Sequence, residues 1–160
     1  MVAKIRISAW AWAQARKELP TIRDGKRAYT RGNQCERALG IEHGATPDAG
    51  RPHPDRALSA EPDVYGRHGE LWEVKALQAS VHAGYGIVHS VRYVMKMARY
   101  GKRFIYVVYG GDAYDMDPAT FLEFLLTFRK YDRESGSKAE KTRLLVNQRM
   151  VQWLEDRLTA

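Results

Sequence analysis

The run Glu61-Pro62-Asp63-Val64-Tyr65-Gly66-Arg67-His68-Gly69-Glu70-Leu71-Trp72-Glu73-Val74-Lys75-Ala76 decides how this chain is read. Two short apolar runs, Val64-Tyr65 and Leu71-Trp72 with Val74, flank Gly66-Arg67-His68-Gly69, a pattern that predicts a β-hairpin. Side chains alternate along a strand, so Glu73 and Lys75 project from one face and Trp72 and Val74 from the other. The apolar side is expected against the core, with the charged side left over. A loop of Arg67, His68 and Gly69 sets Asp63 across from Glu73 on the same face, with Gly69 in the left-handed position such a loop needs. A two-residue loop would slip the register by one and turn Asp63 to the wrong face.

Two carboxylates and an amine converging on a pleated sheet repel and desolvate one another unless positive charge sits between the acids. A hard divalent cation suits that position. Mg²⁺ takes oxygen ligands from one or two carboxylates and keeps several waters that a phosphate can displace. Mg²⁺, with Mn²⁺ able to substitute, is therefore the expected cofactor.

Pro62-Asp63, a nine-residue spacer and then Glu73-Val74-Lys75 resemble the motif of the PD-(D/E)XK nuclease superfamily. Upstream, Arg31-Gly32-Asn33-Gln34-Cys35-Glu36-Arg37 is similar to the opening of the first helix in archaeal Holliday-junction resolvases. The resemblance covers about residues 30–109. It implies an α/β, restriction-endonuclease-like core of a helix, a three-strand meander, a helix and a strand, here with an extra N-terminal segment and two C-terminal helices. It further implies a metal-dependent DNA endonuclease leaving 5′-phosphate and 3′-hydroxyl ends. Asp63, Glu73 and the Val74 backbone carbonyl would hold the metal, Glu36 would reach it through water, and Lys75 would orient or deprotonate the attacking water. A junction-resolving enzyme and a small type II restriction-like enzyme both fit, each as a homodimer. The rival reading is a catalytically inactive DNA-binding or interaction domain that keeps the fold.

With 160 residues the chain is long enough for one domain with its own core. Lysine and arginine outnumber aspartate and glutamate by 26 to 19, and the pI near 9.6 favours a polyanionic partner. DNA is that partner in the reading adopted here, with Arg27, Arg31, Arg51, Arg56, Gln78, Arg92 and Lys96 as candidate contacts. The single Cys35 has no bridging partner and reads as a small core residue. His53 and His68 lack Cys or His partners at zinc spacing. No secretory or membrane-spanning pattern develops in the first residues, so a cytoplasmic protein with no membrane partner is expected.

Around this centre the pattern predicts a strand-like start at Ile5-Arg6-Ile7 and a helix begun by Ser8 that carries Trp10 and Trp12. A basic loop follows over 16–31. The first core helix is expected from about Arg31 to Leu39, with Thr30 as N-cap, Gly40 as stop and Cys35, Ala38 and Leu39 as its apolar stripe. A Pro- and Gly-rich insert spans 44–60, with Arg56–Ala60 as the candidate first strand. After the hairpin, Ile87, Val88, Val91, Val94, Met95 and Ala98 recur at helical spacing before Gly101, opposite a basic face of His89, Arg92, Lys96 and Arg99. Phe104–Tyr109 reads as a buried strand ended by Gly110-Gly111. Asp117-Pro118 opens a helix lined by Phe121, Leu122, Phe124, Leu125 and Phe128, more apolar surface than one small sheet needs, which suggests a subunit interface. A charged connection over 129–141 precedes a last helix over about 141–158, with Leu144, Leu145, Val151, Leu154 and Leu158 at helical spacing.

Overall fold

In the computed structural model, which describes residues 1–20, 27–52, 61–77, 90–128 and 148–159, five strands form one mixed sheet. They are β1 (Val2–Ile5), β2 (Val64–Tyr65), β3 (Leu71–Leu77), β4 (Arg103–Val108) and β5 (Ala113–Met116), in the order β1-β5-β4-β3-β2. The β3–β4 pair is parallel and the other three are antiparallel. A parallel pair needs a crossover, and α3 (Ser90–Arg99) stands within it. The remaining helices are α1 (Ala9–Glu18), α2 (Arg27–His43), α4 (Pro118–Phe128) and a segment over 148–156, here α5. The chain is thus mixed α/β. No helix among the described residues is long and apolar enough to cross a membrane.

Strand β4 explains the layering. Its Phe104, Ile105, Tyr106 and Val107 are all buried, as in a strand covered on both faces. Phe104 and Tyr106 join Val94 and Met97 of α3, Phe121, Phe124 and Phe128 of α4 and Trp153 and Leu154 of α5 in one core. Ile105 and Val107 join Trp72 and Val74 of β3, Ala11, Trp12 and Ala15 of α1 and Cys35, Ala38 and Leu39 of α2 in a second. The α4 phenylalanines are therefore spent inside the chain: Phe121 stacks on Phe104 at 4.1 Å, and Phe124 meets Tyr106 at 5.0 Å and Trp153 at 5.5 Å.

Ser8 caps α1 as expected, its Oγ accepting from the Ala11 N–H at 3.1 Å, and Asp117 caps α4 by accepting from the Thr120 N–H at 2.8 Å. The first strand lies earlier than Ile5–Ile7. Trp12 is buried and donates to the Gly111 carbonyl at 2.8 Å, while Trp10 stands exposed. On α3 the buried stripe is Val94 and Met97, and Met95 and Ala98 face outward; β5 was not foreseen, because four residues are too few to show a period. Gly110, at φ +79°, follows the end of β4, as expected, and turns the chain into β5. Residues 56–60, Ile87, Val88, His89, Leu144, Leu145 and the 129–141 connection lie outside the described residues.

The largest correction concerns α2, which starts at Arg27, contains Thr30 and continues through Gly40 to His43. Gly40 is not a stop. A Cβ there would stand 1.9 Å from the Ala49 carbonyl oxygen, so glycine lets the 45–50 segment lie directly on the helix. Gly50 (φ +76°) approaches the Glu36 carbonyl in the same way. Arg37, 4% exposed, locks this arrangement, donating to the Pro47 and Ala49 carbonyls at 3.0 and 2.8 Å and to both Glu18 oxygens at 2.6 and 3.1 Å.

Alanine in place of glycine inside a helix normally stabilises it by about 1 kcal/mol. Gly40→Ala is expected to do the opposite, losing about 1–3 kcal/mol through overpacking, read as a lower urea midpoint. The hydrogen bond from Arg37 holds the Glu18 carboxyl below its usual range. A depressed carboxyl stabilises the fold above its unfolded pKa and loses that contribution as pH falls through its folded value. Glu18→Gln is therefore expected to flatten the acid limb of a stability-against-pH curve below about pH 4.5.

Candidate active site

Val64 pairs with Trp72 and Tyr65 with Leu71, and the Gly66 N–H donates to the Glu70 carbonyl at 2.8 Å. The loop is therefore Arg67, His68 and Gly69, with Gly69 at φ +86°. Asp63 directly precedes β2, on the side of the hairpin where the sequence reading sets it across from Glu73. The Val74 N–H donates to Asp63 Oδ2 at 2.8 Å, so it points toward the β2 side, and the Val74 carbonyl points the same way. The Val74 carbonyl therefore lies on the side of β3 that carries the Asp63 carboxylate.

Glu73 and Lys75 register with Phe104 and Tyr106, and so lie on the α3 and α4 side of the sheet. The charged face is not left over, as the alternation alone suggested, because α3 roofs it. Tyr93 of α3 donates its hydroxyl to Glu73 Oε1 and accepts from Lys75 Nζ at 3.3 Å. Lys75 Nζ also lies 4.8 Å from the Tyr93 ring centre and 3.8 Å from Glu73 Oε1. Burial, the Glu73 charge and hydrogen bond, and then the Asp63 charge all push the Tyr93 phenol far above its ordinary pKa. The hydroxyl stays protonated and bridges the acid to the amine.

Sequence reasoning missed Lys102. Helix α3 closes with Gly101 at φ +71°, whose N–H bonds the Ala98 carbonyl while the Lys102 N–H bonds the Met97 carbonyl. That is a Schellman closure, and the residue after its glycine commonly folds back onto the helix's last turn. A lysine in that slot is the signal that was available. Its side chain is 2% exposed and donates to the Glu61 carbonyl at 2.7 Å and to Glu73 Oε2 at 3.3 Å. Glu73, 13% exposed, therefore meets two ammonium groups and a phenol.

Glu36 is not brought into this group. It stands on α2, whose Cys35, Ala38 and Leu39 pack with Trp72 and Val74, the face opposite Glu73. No set of three or more His, Cys, Asp or Glu gathers at metal-holding distance among the described residues. Two carboxylates and the Val74 carbonyl still form an oxygen set of the kind a hard cation takes, so the donor chemistry fits Mg²⁺, with Lys102 as its competitor for Glu73. Cys35 is buried, which pushes its thiol up to about 12 and suits a core residue.

The basic candidates scatter. Arg31 lies over the Tyr109 ring at 5.7 Å, with Arg16 at 5.2 Å. Arg51 pairs with Asp48 at 2.7 Å and Glu18 at 3.8 Å, while Arg92 and Lys96 are exposed on α3. Arg27 lies on α2, and Arg56, Gln78 and His53 fall outside the described residues. Comparison with known protein families, with characterised proteins and with solved structures gives no match.

Removing Lys102 strands a part-buried carboxylate. Lys102→Met is expected to lose about 3–5 kcal/mol of stability, measured by urea unfolding. Adding Glu73→Gln to that variant should recover part of the loss.

Proposed function

We propose that this chain is a Mg²⁺-dependent nuclease of the PD-(D/E)XK kind, hydrolysing DNA phosphodiesters to 5′-phosphate and 3′-hydroxyl ends. The observation that carries the reading is the hairpin register. It holds the Asp63 carboxylate on the Val74 N–H, brings Lys75 to the Glu73 face and points the Val74 carbonyl to the β2 side. The order helix α2, hairpin, α3 and parallel strand β4 also agrees with a restriction-endonuclease-like core.

Asp63, Glu73 and the Val74 carbonyl would hold the ion. When bound, Mg²⁺ supplies Lewis-acid polarisation of the phosphate and acidification of a water. Lys75, held by the Tyr93 hydroxyl and ring, positions the attacking water and takes part in its proton transfer. Tyr93 fixes the Glu73 carboxylate and keeps its own proton. The proposal does without Glu36. Arg31, Arg92 and Lys96 are the candidate backbone contacts, and paired cuts on two strands call for a homodimer, whether the substrate is a junction or linear duplex.

Lys102 favours a second reading, an inactive DNA-binding domain on the same fold, because its ammonium already neutralises Glu73 where a cation would compete. A plasmid nicking assay separates the two. Wild type is expected to nick supercoiled DNA with Mg²⁺ or Mn²⁺ and to stop in EDTA. Lys75→Ala should lose at least about two orders of magnitude in rate while keeping DNA affinity in a gel shift. Wild-type protein that binds DNA but never nicks it would support the inactive domain.

A further inference from the structure

On the other face of the sheet from Glu73, a cavity of 270 Å³ opens between the end of β1 and the β2–β3 turn, with Trp72 among its walls. Trp72 is buried, and its Nε1–H has no hydrogen-bond partner among the described residues. A buried donor without an acceptor is rare in folded proteins and marks a place where an acceptor is missing. The groups around this donor are basic. Arg6 and Arg67 line the cavity, and neither forms an ion pair among the described residues; the Arg67 guanidinium donates to the Glu42 carbonyl at 3.1 Å.

His43 and His68 also line the cavity, and the His43 Nε2–H donates to the Arg6 carbonyl at 2.6 Å, which holds the Arg6 backbone at the rim. Lys4 is neutralised by Glu155 at 2.7 Å. Glu70 is the one acid in the wall, and its Oε2 accepts the His68 backbone N–H at 3.0 Å. What remains among the described residues is one indole donor without an acceptor and two guanidinium groups without a counter-ion.

From this we propose that the cavity is an oxyanion site whose ligand is a phosphate group, with the Trp72 Nε1–H donating to one oxygen and Arg6 and Arg67 to the others. Arginine suits this role because its planar fork bonds two oxygens of a phosphate at once. The inference goes beyond the nuclease reading and does not depend on it. It uses none of Asp63, Glu73 and Lys75, and the nicking assay neither supports nor weakens it.

The test uses the full ¹⁵N-labelled chain, whose four tryptophans give separate indole N–H signals, with the Trp72 signal assigned by Trp72→Phe. Sodium phosphate is titrated against sodium chloride at constant ionic strength. The Trp72 indole signal is expected to shift and saturate, and Arg6→Gln and Arg67→Gln each to weaken the apparent affinity about tenfold, the loss of roughly one charge-assisted hydrogen bond. Both arginines are exposed, so these variants keep the fold even if Trp72→Phe does not. A short oligonucleotide with and without a 5′-phosphate then tells a nucleic-acid end from free phosphate. A Trp72 signal that stays still, or one that shifts equally in both arginine variants, would overturn the proposal and leave a bound water as the missing acceptor.

Discussion

The pairing of Val64 with Trp72 is the constraint on which the rest of the structure depends. A strand's side chains alternate with period two, so this one pair assigns every residue of β3 to a face. Trp72 and Val74 go to the core under α1 and α2, and Glu73 and Lys75 go to the side covered by α3 and α4. A slip of one residue would bury the charged pair among Cys35, Ala38 and Leu39 and turn the tryptophan toward Tyr93. The hairpin loop, with its glycine at positive φ, forbids that slip.

Around this strand, polar groups on the α3 side are tied to one another rather than left to solvent. Lys102 joins the Glu61 carbonyl, just before the hairpin, to Glu73 within it, and Tyr93 joins Glu73 to Lys75. Each link comes from α3 or its closing turn. The geometry of the acid and amine pair therefore rests on how that helix ends, and Gly101 governs the site from outside it. The low exposure of Glu73 and Lys102 makes these links necessary, since a part-buried carboxylate left without partners is strongly disfavoured.

Much of this was legible from residue order alone. The hairpin, its three-residue loop, the caps at Ser8 and Asp117, the termination at Gly101 and the two-sided burial of β4 follow from local rules that tertiary contacts did not override. Failures arose where a residue's role depends on a distant neighbour. Gly40 has the look of a helix stop until the Ala49 carbonyl is seen lying against it. Met95 fits an apolar spacing, but the stripe that α3 buries is set by its docking angle on β4 and α4. Glu36 keeps company with the right neighbours in sequence, yet its helix covers the wrong face. Lys102, the closest partner of Glu73 after Tyr93, was marked only by its slot after the closing Gly101.

The lock around Arg37 has a bearing on how variants of this chain should be judged. Its guanidinium serves two main-chain carbonyls and both oxygens of Glu18 from a single planar head. An ammonium has three donors on one atom and cannot span acceptors that lie on two separate segments. Substitution scales that treat arginine and lysine as near-equivalents would score such an exchange as mild, whereas here it would unpick the contact between α1, α2 and the 47–49 turn together.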